Sequence, residues 1–183
     1  SAKSPRYGIL LCVNGTGILN RWLRTTLGSA TLSYAAMNDC AQEAPAGSAR
    51  LKMFPYGNGA ERTLENRNIH ASLHGLDFTI HTRAHLLRAA QEGIVFALRY
   101  GLDVMRSMGV AIKVVRAGHA NMFLSPLFAE VFATTVDAQV ELYNTDGAQG
   151  AARGAGIGAG IYKDFMEALA QLNVVRRVLT KAK

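Results

Sequence analysis

The sequence predicts an α/β fold, and three observations carry that expectation. From about Lys113 onward, strand-like runs alternate with helix-like ones, the order of a sheet with crossover helices and parallel strands. Near the start, Tyr7 to Val13 (YGILLCV) is a continuous apolar run, as in a strand buried on both faces. Of the 183 residues, 49% are apolar and only 18% are charged, which favours a packed core over disorder. The length, with no internal repeat or linker, points to a single domain over 1–183.

The elements follow in order. After the first run and the turn NGTG, ILNRWLRTTLG carries Ile18, Trp22 and Leu23 at helical spacing and ends at Gly28. TLSYAAMNDCAQEA predicts a second helix, stopped by Pro45 and Gly47. RLKMF is a short strand, PYGNGAERTLENRN a polar loop rich in breakers, and ASLHGL a short strand or turn. The strongest helix runs from Thr82, a plausible N-cap, to Gly109, a plausible stop. Its stripe is Leu86, Ala90, Ile94, Ala97, Leu98, Leu102 and Met105. AIKVVRAG predicts a strand, NMFLSPLFAEVFA a helix, AQVELY a strand and KDFMEALAQL an amphipathic helix. NVVRRVL is compatible with either strand or helix.

Composition excludes some classes of function. No apolar run reaches the ~18 residues of a membrane span, and no signal-peptide pattern is visible. The expectation is a cytoplasmic protein without a membrane partner. Cys12 and Cys40 lack metal-ligand spacing and read as free thiols. The net charge of +7 admits a polyanion, but most basic residues alternate with Asp and Glu. Only Arg176, Arg177, Lys181 and Lys183 cluster, without interleaved aromatics, so no nucleic-acid partner is expected.

Candidate chemistry is sparse. His81 and His85 are four apart, but the Glu of a zinc helix is absent and His81 precedes the helix cap, so no metal site is expected. Glu92 and Asp103 lie on the long helix and read as a solvated or salt-bridged face. No nucleophile–base arrangement can be assembled by spacing, so no catalytic residue is assigned. NGTG and RAGHAN each follow an apolar strand and open a helix, where backbone amides and the helix dipole favour phosphate.

The segment DGAQGAARGAGIGAG, Asp146 to Gly160, is the strangest. It follows a strand and precedes an amphipathic helix with no room for a second domain after it, which argues against a linker. Its glycines also miss the G-x-G-x-x-G spacing of a dinucleotide loop. As a helix it sets Ala148, Ala152, Gly156 and Gly160 on one stripe and Gly150, Gly154 and Gly158 on another. Each interior glycine costs about 1 kcal/mol, so close approach is the expected compensation, either packing against a neighbouring backbone or a role beside a ligand.

At FPYGNGAER, HGLDFTIHTRAHLLRAAQEGIVFALRYGL and DGAQGAARGAG the chain resembles the FGGY carbohydrate kinases, particularly their xylulokinase-like members. The blocks occur in family order and the resemblance extends from about Tyr7 to Val178, with departures at Gln91, Pro126 and RAGHAN. It implies an incomplete actin-like/ribonuclease-H-like ATPase lobe, the later part of the C-terminal nucleotide-binding lobe. It further implies ATP and Mg²⁺ as cofactors and a sugar, such as the ketopentose D-xylulose, as substrate. By this resemblance Gly17 lies beside the nucleotide phosphates, with Arg21 one turn on. Gly118 and Asn121 contact the adenosine, and Asp146 and Gly147 open the small-residue helix. The family's sugar site, general-base Asp and GTS-type phosphate loop all precede the matched region, so the chain alone is expected to be inactive. A homodimer is compatible with this picture. The alternative is a non-catalytic, actin-like nucleotide-binding module that works by interaction; a basic nucleic-acid-binding domain is the third reading.

Overall fold

The computed structural model describes residues 8–28 and 32–179. The chain separates into two compact units, Ser1–Ala111 and Ile112–Lys183, each described by itself. Tyr7, Thr31, Lys181 and Lys183, which figure in the sequence expectations, lie outside the described residues.

In the first unit, α1 spans Gly17–Leu27 and α2 spans Tyr34–Glu43. The side chain of Ser33 caps α2 by accepting from the Ala36 amide at 3.1 Å. The inward face of α1 is Leu19 and Leu23, while Ile18 and Trp22 of the expected stripe are about half exposed. α3 spans Arg83–Ser107 and forms the spine of the unit, with α2 and β1 (Lys52–Phe54) packed along it. β1 pairs antiparallel with β2 (Ser72–His74), Met53 opposite Leu73. Close approach of β1 depends on Gly93, because a Cβ there would collide with the Met53 carbonyl oxygen.

Thr82 begins α3 as expected, and Gly109, at φ 85°, follows its last turn. The helix is buried on all sides from Ala89 to Val95, so the single-stripe expectation is too narrow. Leu87 is buried where Leu86 was expected, and Gln91 and Glu92 are buried with it. Glu92 is salt-bridged as one of the two sequence readings had it, but it is not solvated. It accepts from Arg88 Nε at 2.8 Å and from the Gly47 amide at 3.0 Å, and Arg88 donates in turn to the Ala44 carbonyl. Asp103 is the exposed counterpart, bridged by Arg99 and Arg106.

The expected strand over Tyr7 to Val13 does not form. Residues 8–13 carry no strand, and Leu10 is 81% exposed. A strand exists only through its ladder, and no segment among the described residues pairs with this one. Its anchor is Leu11, which lies against Gly101 of α3.

The second unit is built on a three-stranded sheet in the order β3 (Val114–Gly118), β4 (Gln139–Tyr143), β5 (Val174–Val178). β3 and β4 are parallel, as expected, and α4 (Pro126–Val136) connects them. NVVRRVL resolves as strand β5, but it runs antiparallel to β4. Phe128, Phe132 and Val136 of α4 are buried, as are Val140 and Leu142 of β4. Phe123 meets Phe128 and Phe132 edge-on at 5.3 and 5.4 Å.

The expected single helix NMFLSPLFAEVFA is broken in two. Asn121–Leu124 form a turn of 3₁₀ helix, and α4 starts afresh at Pro126. Proline disfavours helical backbone in the residue before it, and Ser125 instead caps α4, accepting from the Phe128 amide at 3.2 Å. The Gly/Ala segment is helical, as α5 (Gly147–Gly158). KDFMEALAQL yields only the short α6 (Phe165–Leu169), capped by Asp164.

Candidate functional site

Two neighbourhoods hold the residues singled out by sequence, one in each unit. In the first unit, Gly17 is the first residue of α1. It is exposed, and nothing lies within 4 Å of where a Cβ would stand. Thr16 precedes it without capping the helix through its side chain. An α-helix leaves its first amides without intrahelical partners, so this end faces outward with its donors uncapped by any side chain. Arg21, four residues on, is exposed and makes no ion pair among the described residues. A guanidinium beside an open helix N-terminus is a setting that favours an anion.

The turn leading into α1 is held from below. Gly15 is buried, with its α-carbon against the Pro55 carbonyl oxygen, where no Cβ would fit. Asn14 Nδ2 donates to the Ala60 carbonyl at 2.8 Å, and Asn58 Nδ2 donates to the Asn14 carbonyl at 3.3 Å. The Asn14 amide donates to both carboxylate oxygens of Glu61, at 3.1 Å each. Glu61 is fully buried. Sequence reasoning assigned it no role, although it stands inside the quoted block FPYGNGAER. The available signal was an acidic residue in a loop that has to pack against NGTG. Burial, aided by the Glu61 charge, pushes the nearby Tyr56 phenol above its ordinary range, so Tyr56 stays protonated at neutral pH.

In the second unit, β3 ends at Gly118, level with Tyr143 of β4. A Cβ at Gly118 would collide with the Thr145 carbonyl oxygen and stand 3.5 Å from the Asp146 Cα. Gly118, Asp146 and Gly147 are therefore brought together. Asp146 caps α5, its Oδ1 accepting from the Gln149 amide at 2.8 Å. Arg153 reaches back from α5 to Thr145 Oγ1 at 2.8 Å, tying the helix to its entry loop. Asn121 is exposed at φ 52°, a left-handed conformation that asparagine tolerates better than most residues.

The remaining candidates resolve as structural groups. His81 Nδ1 accepts from the Asp77 amide at 2.9 Å, which leaves its Nε2–H to donate to the Ala49 carbonyl at 3.2 Å. His85 Nδ1 accepts from the Thr82 amide at 3.2 Å, completing a capping box. No group of three or more potential metal ligands occurs among the described residues. Beside α1, a groove of about 510 Å³ is lined by apolar side chains including Trp22, Met53 and Leu86, a lining unsuited to phosphate. No described helix is long and apolar enough to cross a membrane.

Among the described residues, the packing alternative for the Gly/Ala helix is not found. Gly147, Gly150, Gly154 and Gly158 face open space, and only Gly156 meets a neighbour, the ring of Tyr162. Small residues permit close approach without causing it. In this unit α5 packs chiefly on the short α6, which leaves both stripes largely uncovered.

Residues 2–161 match the model of the FGGY family of carbohydrate kinases, C-terminal domain. The chain belongs to this family. Its fold is accordingly a partial actin-like ATPase fold. Among relatives of this FGGY chain, the xylulose kinase of Haemophilus influenzae is 34% identical over 130 residues, spanning 69% of this chain and 26% of that protein. The L-xylulose/3-keto-L-gulonate kinase of Escherichia coli is 30% identical over 152 residues, spanning 81% and 29%. The crystal structure of xylulose kinase from Rhodospirillum rubrum superposes with a TM-score of 0.69 at 25% identity, over 89% of this chain and 33% of that one. The FGGY chain thus spans between a quarter and a third of the length of these kinases.

Proposed function

We propose that the chain forms the later part of the ATP-binding lobe of a sugar kinase, with a ketopentose such as D-xylulose as substrate of the whole enzyme. The observation that carries the nucleotide reading is the open end of α1, where Gly17 and Arg21 are both exposed and no side chain caps the helix. The relatives named above support the sugar class, since two are xylulose kinases and one acts on L-xylulose or 3-keto-L-gulonate.

Phosphoryl transfer depends mainly on positioning and charge stabilisation. Gly17 would admit phosphate oxygens to the first amides of α1, with Arg21 supplying positive charge. Gly118 and Asn121 would meet the adenosine, and the Asp146–Gly147 turn would shape the same neighbourhood. A phosphate anion fits the α1 end, because an uncapped N-terminus without a Cβ suits an anion. The donor set does not fit a resident metal ion. Asp146 is occupied as a cap, Glu61 is buried on Asn14, and Glu92 is buried on Arg88, so no step is assigned to Mg²⁺. With these three carboxylates committed elsewhere, none of them is assigned as a base for the sugar hydroxyl, and in this reading the isolated chain is inactive. As part of a sugar-phosphorylating enzyme it works in the cytoplasm.

Calorimetric titration with ADP and a coupled assay with ATP and D-xylulose test this reading together. The expected result is ADP binding, weakened by Arg21→Ala and by Asn121→Ala, with no turnover. Turnover by the chain alone, or ADP affinity unmoved by both substitutions, would refute it.

A further inference from the structure

The most unusual buried group in the first unit is the carboxylate of Glu61. It is fully excluded from solvent, yet no Lys, Arg or His among the described residues pairs with it. A buried carboxylate without a cation is costly unless its hydrogen bonds are put to use. Both oxygens converge on one donor, the Asn14 amide, 47 positions away in sequence. The backbone of Glu61 is itself immobilised. Its amide donates to the Arg67 carbonyl at 3.1 Å, and its carbonyl accepts from the Leu64 and Asn66 amides at 3.0 and 2.9 Å. A rigid base thus presents one charged acceptor to the first residue of the turn that opens α1.

We infer that Glu61 is a positioning residue for nucleotide phosphate. It fixes the turn Asn14–Thr16 so that Gly17 and the first amides of α1 are held ready before the anion arrives. This rests on the proposed reading of Gly17 as a phosphate neighbour. The surrounding contacts are consistent with a single task. Asn14 is held through its amide, its side chain and its carbonyl, by Glu61, Ala60 and Asn58 respectively. Cys12 Sγ adds a contact to Asn14 Oδ1 at 3.2 Å, and Gly15 is pressed onto Pro55. By contrast Gly17 itself has no neighbour where its side chain would be. The turn is clamped on one side and open on the other, which is what preorganisation for a ligand requires.

The test uses the full 183-residue chain and compares Glu61→Gln with Glu65→Gln, an exposed carboxylate in the same loop. Glutamine keeps the length and one acceptor but removes the charge, which roughly halves hydrogen-bond strength. Amide hydrogen exchange should quicken about tenfold at residues 14–18 in Glu61→Gln, with α3 still protected. ADP affinity should fall about tenfold while adenosine affinity stays unchanged, and Glu65→Gln should alter neither. Unchanged exchange at 14–18 would overturn the inference even if ADP binds. Equal loss of ADP and adenosine affinity would overturn it too, since that marks general damage. A wild-type chain that binds neither ligand would instead overturn the nucleotide reading, and with it the phosphate role, while localised exchange would still identify Glu61 as the anchor of the turn. Should Glu61→Gln fail to fold, Asn14→Ala keeps the amide but removes the side-chain tie to Ala60. It should give the same pattern at about threefold, and its absence would equally overturn the inference.

Discussion

Gly93 and Gly150 are both glycines inside helices, one in α3 and one in α5, and their surroundings are opposite. The space a Cβ would fill at Gly93 holds the Met53 carbonyl oxygen; at Gly150 it is empty. The first lets a strand lie on a helix. The second spends helix propensity with no contact in return. The richest glycine segment of the chain is therefore not where glycine matters most to packing. Gly15, Gly93 and Gly118, scattered singly, are among the places where backbone meets backbone most closely.

Substitutions can break or sharpen this contrast. The largest effect is expected at Gly93→Ala, which forces a methyl onto a backbone carbonyl that cannot rotate away. A loss of about 3 kcal/mol, read from the urea midpoint, is expected. Gly118→Ala meets the Thr145 carbonyl in a loop that has more freedom, so about 2 kcal/mol is expected in the same measurement. Little change at either position would show that these close approaches are not structural. Asp146→Ala removes the α5 cap and should cost about 1 kcal/mol, with helix loss visible by circular dichroism. At the open positions the sign reverses. Gly150→Ala and Gly154→Ala should each raise stability by about 0.5–1 kcal/mol. Destabilisation there would mean that something packs on α5 after all.

The smallest effect concerns acid. The Tyr143 hydroxyl and then the Arg116 and Arg177 guanidinium groups hold the Glu141 carboxyl below the usual carboxylate range. A pKa lower in the folded than in the unfolded chain stabilises above the unfolded value and is lost as pH falls through the folded one. Glu141→Gln should therefore flatten the decline of stability below about pH 4, leaving neutral-pH helix content unchanged. A decline as steep as that of the wild type would exclude Glu141 as its source.

Much of the second unit was legible in the sequence because its signals are local. The family resemblance has Asp146 and Gly147 open the small-residue helix, and α5 begins there, with Asp146 as its cap. The apolar runs around Val115 and Val140 predict strands, and they pair in parallel. Thr82 and Gly109 bracket α3 for the same reason. The failures were failures of partnership. YGILLCV has the composition of a central strand, but composition cannot supply a neighbouring strand. NMFLSPLFAEVFA has helical periodicity, but Pro126 splits it. At the candidate site, Gly17, Arg21 and Gly118 were reached through the family blocks, whereas Glu61 was passed over because its partner is distant in sequence.

By itself the sequence determined where most helices lie, the Thr82 and Gly109 ends of α3, the parallel strands β3 and β4 and membership in a carbohydrate kinase family, since these depend on neighbours within a few turns and on contiguous motifs. Only the tertiary structure decided which glycines are packed, which way β5 runs, and that a buried carboxylate holds the turn before α1. Each of those depends on a contact between segments far apart along the chain, and residue type alone does not say what will stand opposite.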